Sequence, residues 1–213
     1  MKKQLALLLC LKLLKGAAQS FHRGAVIISA GTGLEYYNTV KNYANSGNLG
    51  DTSAVGHAAS ANLNAALEIG ISKRVGIGAR GKMNSFFTDL DAVLAEKTHI
   101  RTADLLLSVN LHPIRRKKLD VLLGVEGGFS SVNVTFQNLG DILISGKGPA
   151  AALYLEPRFY KKRFGFHVRL TLPVTQYKTL NTVGAQVAGQ QYRLSDWQGR
   201  GYGVNFGVQF RLF

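Results

Sequence analysis

One stretch decides the fold, residues 151–174, which reads AALYLEPRFYKKRFGFHVRLTLPV. Apolar side chains occupy every second position on both sides of the basic segment Lys161–Arg163, and charged, polar or small residues lie between them. Alternation with a period of two predicts a β-strand with two different faces, so the stretch predicts a hairpin. Each arm has about ten residues, which is enough to cross a bilayer as a tilted strand.

The same alternation recurs along the chain. It predicts six further strands, at Gly24–Glu35, Leu63–Ile71, Val75–Met83, Ala103–Leu111, Leu119–Phe129 and Tyr202–Leu212. Short turns join the second strand to the third, the fourth to the fifth and the sixth to the seventh, and the short turn between the fourth and fifth is Pro113–Lys118. The other connections are long and polar: Tyr36–Ala61, Asn84–Thr98, Ser130–Gly148 and Thr175–Arg200. This pattern predicts an all-β fold, an eight-stranded antiparallel up-and-down transmembrane β-barrel with short periplasmic turns and long extracellular loops.

Residues 1–20 have the organisation of a secretory signal peptide. A basic start, Met1–Lys3, precedes the apolar run Leu5–Leu14 and the small residues of Gly16–Ser20. We expect cleavage near residues 18–20, which leaves 21–213 as the barrel domain, and we expect export to the outer membrane. Cys10 lies in the apolar run, so the mature chain has no cysteine, and we predict neither a cofactor nor a cysteine-based metal site.

The polar face of the predicted strands combines charges of both signs with many glycines. An eight-stranded barrel is just wide enough to be filled by its side chains, and buried charges must be paired. We therefore predict a charge network that fills the lumen. The alternative is a soluble barrel with its faces reversed. The predicted network comprises Glu35, Glu68, Arg80, Lys82, Asp104, Asp120, Glu126, Glu156, Arg158, His167, Arg169 and Arg211.

Four lysines lie in the predicted signal peptide, so the formal net charge of +14 falls to about +10 in the mature chain, and nine positive charges lie in the three short turns. A basic ring at the periplasmic rim predicts attraction to anionic phospholipid head groups of the outer membrane. The alternative is that these turns are simply solvated. Nucleic acid is not expected as a partner of an exported chain. The ring comprises Lys73, Arg74, Arg115, Arg116, Lys117, Lys118, Lys161, Lys162 and Arg163.

Aromatic residues cluster where the strands are expected to leave the membrane, as in the aromatic belts of membrane proteins. One group lies near the basic turns: Phe159, Tyr160, Phe164, Phe166, Phe210 and Phe213. The second group lies near the predicted long loops: Tyr36, Tyr37, Phe86, Phe87, Tyr177, Trp197 and Tyr202.

The C-terminal segment Tyr202–Phe213, which reads YGVNFGVQFRLF, ends an alternating strand on an aromatic residue. In this respect the mature chain resembles the small outer-membrane barrels of Gram-negative bacteria, the OmpA/OmpX/OmpW-like group. The resemblance implies that Phe206, Phe210 and Phe213 are read by the barrel-assembly machinery during biogenesis. Phe213 departs from the pattern because it is out of phase with Phe206 and Phe210. Within the sixth strand, Pro157 predicts a bulge or local irregularity.

The leading functional hypothesis is a non-catalytic envelope protein that acts through its loops, since loops on a rigid scaffold usually carry recognition. The loop partner is unknown. The resemblance also allows a narrow channel or carrier for small solutes, or an envelope enzyme that modifies lipid A. None of the five histidines has a partner at metal-ligand spacing, so no metal site is predicted. For catalysis, His57 or His99 with a loop serine is the only pairing considered.

Overall fold

The structure is a computed structural model that describes residues 21–45, 52–87, 98–136, 142–178, 180–183 and 192–212. Among these residues, no helix is long and apolar enough to cross a membrane. The described residues form nine β-strands: β1 Val26–Asn45, β2 Thr52–Gly70, β3 Val75–Phe87, β4 Thr98–Arg115, β5 Leu119–Phe136, β6 Ile142–Lys161, β7 Phe164–Lys178, β8 Asn181–Val183 and β9 Tyr192–Arg211.

Eight of these strands close into a barrel. Each long strand pairs antiparallel with two neighbours in the order β5-β4-β3-β2-β1-β9-β7-β6, and pairing between β5 and β6 completes the circle. The three-residue strand β8 only extends the sheet beside β6, near the end of β7. The predicted eight-stranded antiparallel barrel is therefore confirmed.

The two ends of the barrel differ. Residues 71–74, 116–118 and 162–163 join neighbouring strands at one end, where the described termini also meet. There the amide of Leu212 donates to the carbonyl of Val26 at 2.8 Å. We call this the turn end and the opposite one the loop end. The predicted turn Pro113–Lys118 is shorter than expected, because β4 continues to Arg115 through a register shift between Leu111 and Ile114.

The strands extend much further toward the loop end than the sequence predicted. Strand β1 continues past Glu35 to Asn45, and β2 begins at Thr52 rather than near Leu63. Three of the predicted long loops are thus largely strand, and their predicted bounds are wrong: Tyr36–Ala61, Ser130–Gly148 and Thr175–Arg200. Most of the fourth, Asn84–Thr98, lies outside the described residues. Alternation between apolar and polar residues weakens beyond Glu35, although backbone pairing with β2 continues to Tyr43. The remaining parts of the predicted loops lie outside the described residues, as does the predicted signal peptide.

The apolar face of the barrel points outward. Leu34, Leu63, Leu105 and Leu107 each expose more than 60% of their surface, and similar side chains surround the barrel. Exposed apolar surface on this scale is unfavourable in water but suits lipid. The alternative of a soluble barrel, with apolar residues inside, is therefore wrong for this part of the molecule.

Pro157 produces a local irregularity in the sheet, as predicted, but no bulge. Pairing of β6 with β7 is interrupted at Glu156 and Pro157, and it resumes at Arg158 in the same register. On the other side, Pro157 stays in register with Val121 of β5. The proline therefore causes a local gap in one ladder without a bulge, because a residue without an amide hydrogen can sit where no ladder bond is donated.

Candidate functional site: the barrel lumen

All twelve residues of the predicted lumen network point into the barrel, and all eight barrel strands contribute to the set. Arg211 is the most exposed at 7%, and Asp120 and Glu156 have no accessible surface. Successive side chains of a strand point to opposite faces of the sheet. The network residues alternate with the outward apolar residues along each strand, and they therefore point inward. The structure therefore brings six carboxylates and five basic side chains into one narrow interior.

Glu156 occupies the middle of the lumen, between two arginines. Its Oε1 accepts from Nε of Arg158 at 2.6 Å, and its Oε2 accepts from Nε of Arg169. Arg169 also donates to Glu126 at 3.2 Å, and Arg80 from the opposite wall donates to Glu126 at 2.8 Å. Strands β3, β5, β6 and β7 are thus linked across the lumen by charged hydrogen bonds, which are the strong ones.

Nearer the turn end, His112 lies between two carboxylates. Its Nε2 is 2.9 Å from Glu68 and its Nδ1 is 3.0 Å from Asp120. Both ring nitrogens thus face carboxylates, a geometry that favours the imidazolium form with a proton on each nitrogen. Glu68 also accepts from Arg158 and Asn110. With His112 counted, the lumen balances six negative charges against six positive ones.

Toward the loop end, Lys82 bridges two carboxylates. Its Nζ is 2.9 Å from Glu35 and 3.1 Å from Asp104. Tyr37 donates to Glu35, while Asp104 accepts from the hydroxyl of Ser130. This level therefore continues the paired network across β1, β3, β4 and β5.

Phe21 closes the turn end of the lumen. Its side chain has no accessible surface, and its ring stacks on His112 with centroids 3.5 Å apart and planes inclined by 8°. The chain then reverses at Gly24, whose φ of 80° suits glycine. The amide of Gly24 donates to the carbonyl of Gly70 at 2.7 Å. The segment 21–25 is thereby folded into the barrel end.

An apolar cluster lies inside the loop end. Tyr177 and Trp197 stack with centroids 5.4 Å apart, and Phe86 packs edge-on against Trp197. The remaining buried members of the cluster are Ile100, Val132, Val134, Ile144 and Leu180. The aromatic belt predicted near the loops is therefore only partly correct. Tyr36, Phe87 and Tyr202 do lie on the outside, but Tyr37, Tyr177 and Trp197 point inward, and Phe86 is partly buried against the cluster.

His167 belongs to the lumen by position but makes no ion pair among the described residues. Its ring packs against Gly207, where an added Cβ would collide with the imidazole and with the carbonyl of Ala30. Glycine is required at this place because the backbone and the histidine ring approach each other so closely. Arg211 donates to the carbonyl of Lys162 at 3.5 Å at the turn end.

The residues of the predicted basic ring all lie at the turn end. Eight of the nine are exposed, while Arg115 is partly buried and donates to the carbonyl of Phe21 at 3.4 Å. Of the predicted assembly signal, Phe206 and Phe210 point outward from β9, and Phe213 lies outside the described residues.

Among the described residues, neither histidine considered for catalysis is hydrogen-bonded to a hydroxyl group. His57 is exposed and its Nδ1 is 3.0 Å from Oδ1 of Asn38, and His99 is exposed on β4. In the described part of the chain, no histidine nitrogen is hydrogen-bonded to a serine hydroxyl. Those residues also contain no group of three or more His, Cys, Asp or Glu side chains that could hold a metal ion.

Sequence reasoning left Asn110, Tyr154 and Phe21 out of the predicted network. Arg169 lies over the ring of Tyr154 at 4.0 Å, and Tyr154 donates to Asn110. The strand phase could have found two of them, because Asn110 shares the phase of Asp104 on β4, and Tyr154 shares that of Glu156 on β6. Phe21 precedes the first strand and has no such signal.

No protein-family model matches the sequence, and no curated protein matches it significantly. Among solved structures, the crystal structure of the outer membrane protein OprG from Pseudomonas aeruginosa has a TM-score of 0.60 at 10% identity, over 90% of this chain and 97% of that one. The solid-state NMR structure of the outer membrane protein AlkL in DMPC bilayers has a TM-score of 0.58 at 12% identity, over 91% and 92%. At such identity the likeness shows the fold alone. Together with the outward apolar band, it identifies a membrane-spanning barrel of the outer-membrane type.

Proposed function

We propose that the protein is a non-catalytic, integral outer-membrane barrel whose lumen is permanently plugged and whose role lies at its loop end, in envelope structure or surface interaction. A plugged barrel offers no path for solutes, so what it presents to its surroundings is its outer surface and its connections. The connections at the loop end join rigid, extended strands, and such connections are where recognition usually resides.

One observation carries the proposal: the charged side chains of the lumen are almost completely buried. A water-filled pore would leave its lining residues accessible, yet Arg80, Glu126 and Glu156 expose 2% of their surface or less. Ion pairs also bridge strands that are not neighbours: Glu126 on β5 pairs with Arg80 on β3, and Arg158 on β6 pairs with Glu68 on β2, four strands away in the closed sheet. A narrow channel would need to break such pairs, and each broken pair leaves a buried charge without compensation.

The position of His112 between two carboxylates also disfavours catalysis by this histidine. Both of its ring nitrogens are engaged, so neither can accept a proton from a nucleophile. Its buried position under Phe21 further separates it from any substrate.

Single-channel recording in planar bilayers tests the proposal. We expect no discrete conductance from the wild-type barrel. The variant Arg80→Ser/Glu126→Ser/Arg169→Ser removes charges of both signs and three long side chains from the middle of the lumen. This variant should show a small conductance, which demonstrates that the assay detects an opened lumen.

A matched control keeps the lumen intact. Leu105→Ser/Leu123→Ser/Leu170→Ser changes three lipid-facing residues on β4, β5 and β7 and should remain silent. Folding of each variant is checked by the gel-mobility shift between unboiled and boiled samples. Reproducible conductance from the wild-type protein would instead support the narrow channel and overturn the plugged lumen.

The assembly machinery remains the proposed partner during biogenesis, supported by the outward side chains of Phe206 and Phe210 on the last strand.

A further inference from the structure

We propose that the turn end carries a basic collar that binds anionic phospholipid head groups of the membrane leaflet around it. This inference rests on the proposed membrane insertion and adds a specific lipid class to it. The basic collar is defined by Lys73, Arg74, Arg115, Arg116, Lys117, Lys118, Lys161, Lys162 and Arg163.

The collar surrounds the barrel rather than forming one patch. Its three turns follow β2, β4 and β6, so each is separated from the next by two strands of the closed sheet. The fourth junction, where β9 meets β1, carries the exposed Arg23 beside the described termini. Positive charge therefore occurs at every strand junction of this end, which suits a surrounding lipid leaflet better than a single docked protein.

The collar lies directly against the lipid-facing surface. Ile71 precedes the first basic turn, Ile114 precedes the second, and Phe159 and Phe164 flank the third, all with exposed side chains. The rings of Phe159 and Phe166 stack outside the barrel with centroids 4.8 Å apart. Within a few residues the outer surface thus changes from apolar to cationic. A membrane leaflet passes from its acyl-chain layer to its head-group layer over a similar distance. Long basic side chains can reach the head groups while their stems remain in apolar surroundings.

No described carboxylate outside the lumen pairs with the eight exposed residues of the collar, which exclude Arg115. Of the seven described carboxylates, six are paired inside the lumen, and the seventh, Asp196, lies in register with Lys178 near the loop end. The counterions of these eight residues must therefore come from their surroundings. The three turns follow the membrane boundary, where the phosphates of an anionic leaflet are the most concentrated source.

The test compares two variants that each lose four charges. The collar variant is Lys73→Gln/Arg116→Gln/Lys117→Gln/Lys161→Gln, and the loop-end control is Arg101→Gln/Lys147→Gln/Lys178→Gln/Arg200→Gln. All eight positions are exposed. Each protein is reconstituted into phosphatidylcholine vesicles that contain phosphatidylglycerol and is extracted in mild detergent. The lipid that remains bound is then quantified by mass spectrometry.

We expect the wild-type protein and the loop-end control to retain phosphatidylglycerol in excess over its share of the vesicle. Since one basic residue near an anionic surface changes binding by about fivefold, the collar variant should lose at least that factor of enrichment. High salt should reduce the enrichment of the wild-type protein, because surface charges are screened.

Equal enrichment in the collar variant and the wild type would overturn the proposal, as would an equal loss in the loop-end control. A gel-mobility shift on boiling verifies that both variants are folded. Flotation of the wild-type protein with pure phosphatidylcholine vesicles tests membrane insertion separately. If flotation fails, the proposed function fails with it, whereas insertion without enrichment refutes the collar alone.

Discussion

The barrel has two regions in which the same strands present opposite faces to their surroundings. In the part nearer the turn end, β4 directs Leu105 and Leu107 outward and Asp104 inward. In the part nearer the loop end, the same strand directs Arg101 outward and Ile100 inward. Neighbouring strand β5 repeats the contrast, with Val125 outward and Glu126 inward in the first region and Asn133 outward and Val134 inward in the second.

This contrast indicates that the surroundings of the barrel, lipid or water, determine which face of a strand is apolar. Within lipid, the outer face is apolar and the inner charges must pair with one another. Where the barrel rises beyond the apolar band, the outer face is polar and the interior is an ordinary hydrophobic core. One continuous set of strands therefore combines a membrane barrel with the inside-out pattern of a soluble one.

The largest effect is expected from the paired charges of the first region. Glu156→Ala leaves Arg158 and Arg169 buried without their shared carboxylate. We expect a loss of roughly 3–5 kcal/mol in the free energy of unfolding, because it breaks a buried pair from one side. Urea titration in lipid vesicles measures it. The neighbouring outward variant Leu155→Ala is the control, and an equal cost for both variants would contradict a charge-paired interior.

A charge on the outer face should be costly in one region and harmless in the other. Leu107 is 69% exposed in the apolar band, and Leu107→Arg should cost roughly 2–4 kcal/mol, as for arginine on the lipid face of a barrel. Asn133→Arg, outward on β5 in the loop-end region, should stay within about 0.5 kcal/mol of the wild type. The same titration measures both. A small cost at both positions would mean that Leu107 does not face lipid.

Truncation of an apolar residue should cost more in the loop-end cluster than on the lipid-facing surface. Ile100→Ala should cost about 2 kcal/mol, because Ile100 is buried in the loop-end cluster and its removal leaves a cavity. Leu105→Ala removes a similar volume from the lipid-facing surface, where lipid fills the space, so its cost should be smaller. The difference between the two unfolding free energies measures the cavity contribution. No difference would indicate that the loop-end cluster is loosely packed.

The smallest effect is expected where a solvated charge is removed. Arg101→Leu should change the free energy of unfolding by no more than about 0.5 kcal/mol, as for other surface substitutions. A clear stabilisation in vesicles would contradict the placement of this residue beyond the apolar band. It would move the boundary between the two regions toward the loop end.

The sequence predicted the first region well because lipid imposes a strict period of two. Glu35, Asp104 and Arg169 could be assigned to the interior because the other face of each predicted strand is apolar and carries no charge. The loop-end region could not be predicted in the same way. On β4 the apolar residues Leu105 and Leu107 point outward, whereas nearer the loop end the apolar residue is the inward Ile100. A strand predicted from one continuous apolar face therefore ends too early.

The partners within the lumen were also beyond the sequence. Which arginine shares Glu156 depends on how the barrel staggers its strands, and Arg158 reaches both Glu156 and Glu68. Phe21 was missed for a different reason. It enters the lumen from outside the strands, through the reversal at Gly24, and its position depends on stacking with His112.

The central claim, that the outer surface changes from lipid-facing to water-facing along one strand, can be tested most directly with spin labels on β4. The mature chain is predicted to lack cysteine, so single cysteines can be introduced at Arg101, Leu105 and Leu107 in vesicle-inserted protein. Collision with oxygen, which concentrates in lipid, is compared with collision with a water-soluble nickel complex. We expect labels at Leu105 and Leu107 to collide mainly with oxygen, and a label at Arg101 to collide mainly with the nickel complex. Preferential collision with the nickel complex at all three positions would contradict this claim.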